Sequence, residues 1–104
     1  MDHTYKLIWD EHEDIVTVEP PSQGQTKRDM VQFKSEQGKP VVVFHEQSPF
    51  EDHIIVGDGF HEVVNLPPTG SFFHFLCGVI PTDDTRVHSK GSGGDFPRPG
   101  ERSS

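Results

Sequence analysis

The feature that most constrains this chain is its cadence. Short runs of β-branched and aromatic residues recur about every ten positions, each bounded by Gly, Pro, Asp or Ser, and no useful window shows apolar spacing of three and four. Tyr5, Leu7 and Trp9 alternate with Lys6 and Ile8. Ile15-Val16-Thr17-Val18 follows the charged turn Asp10-Glu11-His12-Glu13-Asp14, and Pro20-Pro21 ends it. Residues 22–28 read as polar linker. Residues 29–34 alternate, with Val31 and Phe33 inward. After a turn over 35–40, Val41-Val42-Val43-Phe44 is a continuous apolar run, which predicts a central strand. His53-Ile54-Ile55-Val56 is a short strand stopped by Gly57-Asp58-Gly59, and residues 60–66 form a further strand or an irregular arm. Thr85-Arg86-Val87-His88 is a candidate last strand. About seven strands with almost no helix predict an all-β, antiparallel Greek-key β-sandwich or a small barrel, since a parallel sheet needs crossovers that the chain does not supply as helices.

Residues 70–80 stand out among these runs. Gly70-Ser71-Phe72-Phe73-His74-Phe75-Leu76-Cys77-Gly78-Val79-Ile80 is the most aromatic stretch and holds the single cysteine. It reads as a strand buried on both faces, with Phe73, Phe75 and Cys77 on one side and Phe72, His74 and Leu76 on the other. It is expected to run through the middle of the body, beside the strand that starts at His53.

At 104 residues the chain is one domain. The body is taken as 1–87. Residues 88–104 are rich in Gly, Ser, Pro and charge, with Phe96 the one large apolar residue, and are expected to be a flexible tail. The formal charge is −8; Lys90, Arg98 and Arg102 against Asp95 and Glu101 leave the tail at +1, so the body carries −9. Such a body repels phosphate, so neither nucleic acid nor an anionic membrane surface is an expected partner. No run approaches a membrane span of about 20 residues. One cysteine excludes an internal disulfide and fits a reducing compartment. The first residues lack the basic and apolar regions of a leader, so the default location is cytoplasmic, and secreted or periplasmic if a leader has been removed.

Three stretches resemble the cupredoxins in order and spacing: Val18-Glu19-Pro20, then Lys27-Arg28-Asp29-Met30-Val31-Gln32-Phe33, then residues 70–77. The second is similar to that family's Gly-Asp-x-Val-x-Phe strand, with Arg28 in the place of its glycine. The third is similar to its Gly-x-aromatic-x-aromatic-x-Cys strand. The resemblance spans about 5–78 and implies a sandwich with a copper site at one end. It places Cys77 at the copper cysteine and His53 at the first histidine. The pattern then breaks: Gly78, Val79, Ile80 and Pro81 follow, the next histidine is His88, and no methionine lies beyond Cys77. A type 1 centre would need Cys77, His53 and His88, with a carbonyl or Gln47 as axial donor. The expectation is that the copper site has been lost and that no cofactor is bound, with copper-binding or electron transfer through His53, Cys77 and His88 as the alternative.

The remaining chemistry is sparse. His45, His53 and His61 are a second candidate set for zinc or copper, while His3, His12 and His61 are expected on turns or exposed faces. Residues 10–14 lack the alternating ligands and glycine of a calcium loop. Ser48 and Ser71 lie in no nucleophile elbow, and the neighbouring acids Glu51-Asp52 and Asp83-Asp84 diverge in extended chain. Cys77 as a nucleophile would need exposure and a nearby histidine. The expected function is a non-catalytic binding or interaction module with an unidentified protein partner or self-association. Its contact loops are 47–52 and 78–84, where Phe50, Val79 and Ile80 form the candidate contact patch.

Overall fold

The computed structural model describes residues 2–19, 26–68 and 71–88, and the backbone of 94–96. Those residues form eight strands and no helix: β1 (Asp2–Asp10), β2 (Ile15–Glu19), β3 (Met30–Lys34), β4 (Gly38–Phe44), β5 (Ile54–Val56), β6 (Phe60–Glu62), β7 (Phe73–Pro81) and β8 (Gly94–Phe96). They make two four-stranded sheets, ordered β2-β1-β3-β6 and β5-β4-β7-β8.

Alternation decides which residues meet between the sheets. Tyr5 and Leu7 of β1, Val16 and Val18 of β2, and Val31 and Phe33 of β3 point inward from the first sheet. Val42 and Phe44 of β4, Ile55 of β5, and Phe73, Phe75, Cys77 and Val79 of β7 answer them from the second. Aromatic rings dominate the contact. Tyr5 stacks on Phe33 at 5.5 Å, Phe33 meets Phe75 at 6.3 Å, and Phe75 meets Phe44 at 5.4 Å. Such tilted and offset pairs add about 0.5–1.5 kcal/mol each beyond the area they bury.

The arrangement departs from the sequence expectations in four ways. β1 and β3 are parallel, pairing Asp2 with Met30 through to Lys6 with Lys34. The chain leaves β1, forms β2 on β1's other edge, and comes back to β1's first edge as β3; the described residues of this crossover, which exclude 20–25, hold no helix. Second, β7 lies between β4 and β8, not beside the strand that follows His53; Cys77 pairs with Val42, and β4 separates β7 from β5. Third, β7 is buried on one face only, because His74 and Leu76 are exposed. It also continues to Pro81, so Gly78, Val79 and Ile80 are strand and not loop. Fourth, His88 makes only an isolated bridge to Val79. Within the stretch expected to be a tail, Gly94–Phe96 pairs with β7; residues 89–93 and 97–104 lie outside the described residues.

Asp14, Arg28, Gly38 and Gly57 have positive φ, and two of these positions bear on the fold. Gly38 has φ +156°, and a Cβ there would lie 2.0 Å from the Ile80 carbonyl oxygen, so only glycine fits where β4 begins against β7. Arg28, which stands where the resemblance calls for glycine, has φ +76°. Its N–H donates to the Val63 carbonyl at 2.7 Å, which helps hold this left-handed turn at the entry to β3.

Candidate functional site

The residues proposed for copper do not converge. Cys77 is 2% exposed, on the inward face of β7. His53 is exposed just before β5, and its Nδ1 lies 3.3 Å from the Phe44 carbonyl. β4 stands between the two, which places their strands roughly 10 Å apart. His88 is on the opposite edge of β7, bridged to Val79. Gln47 is exposed in the loop after β4. A trigonal thiolate and two imidazoles therefore do not fit these positions as they stand. His45 is exposed and His61 half-buried against Phe50 at 5.9 Å. Among the described residues no group of three or more His, Cys, Asp or Glu is placed to hold a metal ion.

Both ring nitrogens of His88 are already engaged. Nδ1 lies 3.1 Å from Asp14 Oδ1, and Nε2 lies 3.2 Å from Asp84 Oδ2. The ring stacks on Trp9 at 4.4 Å, and the Trp9 indole N–H donates to the same Asp14 oxygen at 2.8 Å. Two carboxylates facing two nitrogens favour the imidazolium, which donates at both. The Asp84 hydrogen bond is the main cause of a raised His88 pKa; partial burial opposes it, and Asp14 adds to it. Asp84 is held well below the usual carboxylate range, first by the Arg86 backbone N–H and then by His88. The cluster ties together the β1–β2 turn, the end of β1 and the segment after β7. It is a clasp at one pole of the sandwich. Gln37 fastens the same pole: its side-chain amide accepts from the Trp9 N–H at 2.7 Å and donates to the Trp9 carbonyl, continuing the ladder past the end of β3.

His3 is also not on an exposed turn. It is buried, with Nε2 2.8 Å from Asp29 Oδ2. Burial pushes against ionisation of Asp29, yet the bonds from His3 and from the Thr26 N–H and hydroxyl prevail and hold its pKa well below the usual range.

The expected contact patch is absent as such. Phe50 is 4% exposed and Val79 is buried, while Ile80 is half-buried in β7. Phe50 turns inward because Ser48 folds its loop: the Ser48 Oγ accepts the Phe50 N–H at 3.1 Å and donates to the Asp52 carbonyl at 2.7 Å.

An exposed apolar surface lies instead on the outer face of the β5-β4-β7 sheet, apart from the exposed Ile8, Phe60, Val64 and Val87 elsewhere. Ile54 and Val56 of β5 are 63% and 53% exposed, and Leu76 of β7 is 61% exposed. Between them β4 presents Val41 and Val43, both half-buried. Register makes this one patch: Val43 pairs with both Ile54 and Leu76, and Val41 with Val56 and Gly78. The side chains expose on the order of 400 Å² of apolar area, within the range of the largest patch on an ordinary monomer. Strands β4, β5 and β7 carry no carboxylate; their own outward charged or titratable groups are Lys39 and His74, and Asp95 of the neighbouring β8 pairs in register with His74. The other sheet is more polar outward, with Asp2, Thr4, Lys6, Asp10, Thr17 and Glu19, although Ile8 and Phe60 are exposed on it as well. A continuous apolar run such as Val41-Val42-Val43 is the signature of a strand covered on both faces; among the described residues nothing covers this one. The patch was missed in the sequence because its members come from three strands whose order was not known.

Comparison with protein-family models, with curated proteins and with solved structures finds no match for this chain.

Proposed function

We propose that this chain is a small non-catalytic interaction module, built on a cupredoxin-like Greek-key sandwich that has lost a type 1 copper site, and that it binds a protein surface through the outer face of the β5-β4-β7 sheet. The observation that carries the reading is the exposure of Ile54, Val56 and Leu76 around Val41 and Val43. Exposed apolar area of this size is unfavourable in water at about 25 cal/mol per Å², and covering it releases that free energy to an interface.

Three features support the family part of the reading. The chain crosses between the two sheets after β3, after β5 and after β6, as a Greek-key sandwich does. The position where the family pattern has glycine has a left-handed backbone here, although it is Arg28. The Phe73, Phe75, Cys77 alternation lies inward on an interior strand. The separation of His53 from Cys77 by β4 and the double engagement of His88 support the loss of the copper site, and the burial of Cys77 supports the absence of a cysteine nucleophile. The single cysteine supports a reducing, cytoplasmic setting.

The test is a pair of measurements on Ile54→Ser/Leu76→Ser. The native protein should bind a solvatochromic hydrophobic dye, and the double variant should lose most of that signal while its melting temperature changes little. A variant that melts far lower with dye binding unchanged would show these residues to be structural and the face not to be a binding surface. Addition of Cu(II) to reduced protein tests the other half: an intense thiolate-to-copper absorption, lost in Cys77→Ser, would restore the copper reading.

A further inference from the structure

We propose that His45 and His74 form a two-imidazole site for a divalent transition-metal cation, zinc(II) or copper(II), on the outer face of the sheet that contains β4 and β7. In the sequence His45 was grouped with His53 and His61; the fold sets it opposite His74 instead. β4 and β7 pair antiparallel as far as Phe44 with Phe75, and one step further brings His45 against His74. The two continue an outward row, since Val43 and Leu76, two residues away along each strand, face outward and pair with each other. Both histidines are exposed, and both line one cleft together with Glu46, Gln47, Phe72 and Phe73.

The spacing suits one shared ion. Residues directly opposite on antiparallel strands have Cβ atoms about 4.5–5.5 Å apart. A zinc–imidazole bond is about 2.0–2.1 Å, which sets two nitrogens of a tetrahedral centre about 3.3 Å apart. Two imidazoles rooted that close reach one ion by turning toward each other. The cleft has a volume of about 80 Å³. That is room for an ion and one or two waters at about 30 Å³ each. Imidazole suits zinc and copper, whereas magnesium and calcium take oxygen ligands. Two imidazoles are one ligand short of a catalytic zinc centre, so the site keeps exchangeable positions. This agrees with the lack, among the described residues, of any group of three or more His, Cys, Asp or Glu placed to hold a metal ion. Water fills the open positions, and Glu46 and Gln47 are the oxygen-bearing side chains that line the same cleft.

Charge works in the same direction. The chain carries −8, which favours cations at its surface. Lys39, the cation on this face of β4, stands near the start of that strand, whereas His45 follows its end. In β8 the register position beside His74 is held by Asp95. The site uses none of Ile54, Val56 and Leu76, so it stands or falls apart from the interaction reading, and it does not involve the buried Cys77 thiol.

Calorimetric titration of zinc(II) into the full chain tests the site. The expected result is one ion bound between the two histidines. His45→Gln and His74→Gln should each weaken it by at least the roughly 10–100-fold that losing even a ligand's supporting partner costs. The two variants should be weakened alike, because each leaves a lone imidazole. His12→Gln, in the β1–β2 turn, and Cys77→Ser should bind as the native chain does. Both histidines are exposed, so their variants should melt with the native protein. A second readout needs no variant: substoichiometric copper(II) should broaden the imidazole proton resonances of His45 and His74 together, ahead of those of His12. Zinc that fails to bind below about 1 mM overturns the proposal. So does binding that survives both substitutions, binding that is lost in Cys77→Ser, or a pattern in which each substitution removes one ion and leaves another at native affinity, which would mean two separate histidines and no shared site.

Discussion

Phe50→Ala should destabilise the fold and leave association untouched. The ring is 4% exposed and closes one end of the core. It meets Phe44 edge-on at 5.7 Å and 74°, and Phe33 at 6.3 Å and 88°, so it touches aromatic rings from both sheets at once. Truncating a buried phenylalanine costs about 3–5 kcal/mol through lost transfer free energy and the cavity left behind. The site is in a loop, and the loop can settle partly into the gap. That relaxation is limited, because the Pro49 carbonyl accepts from the Val64 and Asn65 N–H groups and Ser48 holds the turn. The lower part of the range, about 3 kcal/mol, is therefore expected. For a domain near 100 residues this lowers Tm by about 12–24 °C. Equilibrium urea unfolding is the assay: the midpoint should fall with the slope unchanged, and Phe50→Leu should cost under half as much. A loss below about 1 kcal/mol, the range of exposed sites, or a loss of partner binding with full stability, would refute the placement of Phe50 in the core.

Gly38→Ala should be costly in spite of its single added methyl. The new Cβ meets backbone, at 2.0 Å from the Ile80 carbonyl oxygen and 2.8 Å from Pro81 Cα, which cannot rotate away, so about 3 kcal/mol or more is expected in the same unfolding assay. Arg28→Gly should go the other way: relief of a left-handed backbone worth about 1–2 kcal/mol exceeds the entropy cost of glycine, and a net gain of up to about 1 kcal/mol should appear in the melt. His88→Gln should show a pH-dependent deficit. His88 has a raised pKa in the fold, so its stabilisation is complete below 6.5, its ordinary value, and is lost as pH rises through the folded value. Asp84 has a lowered one, so its share is complete above 3.8 and is lost as pH falls toward the folded value. The difference between native and variant should therefore be greatest between those two values and shrink on the alkaline side; a pH-independent difference in denaturation midpoints would rule the clasp out.

Much of the fold was legible because strand alternation is local. Tyr5 and Leu7, or Val31 and Phe33, declare an inward face from their own neighbours, and the structure buries all four. The charged residues 10–14 declare a turn for the same reason, and 11–14 form one while Asp10 ends β1. Pairing between strands is not local. Nothing near Cys77 says that Val42 is its neighbour, or that β4 lies between it and the strand after His53. Phe50 was misread because it is a single aromatic among polar residues, and its inward turn depends on Ser48 and on the aromatic rings of Phe44 and Phe33. His88 and Asp14 are 74 positions apart, and no spacing rule reaches that far.

The amino-acid order by itself therefore determined the class of the molecule: an all-β body, a sequence of short strands, and which side of most strands is oily. These follow from the two-residue repeat of extended chain and from the turn chemistry of Gly, Pro and Asp. The tertiary structure alone decided the parallel β1–β3 pair, the scattering of His53, Cys77 and His88, and the union of Ile54, Val43 and Leu76 into one exposed surface. The reason is that a face exists only once strands are laid side by side, and their order depends on how the whole core closes, to which every strand contributes at once.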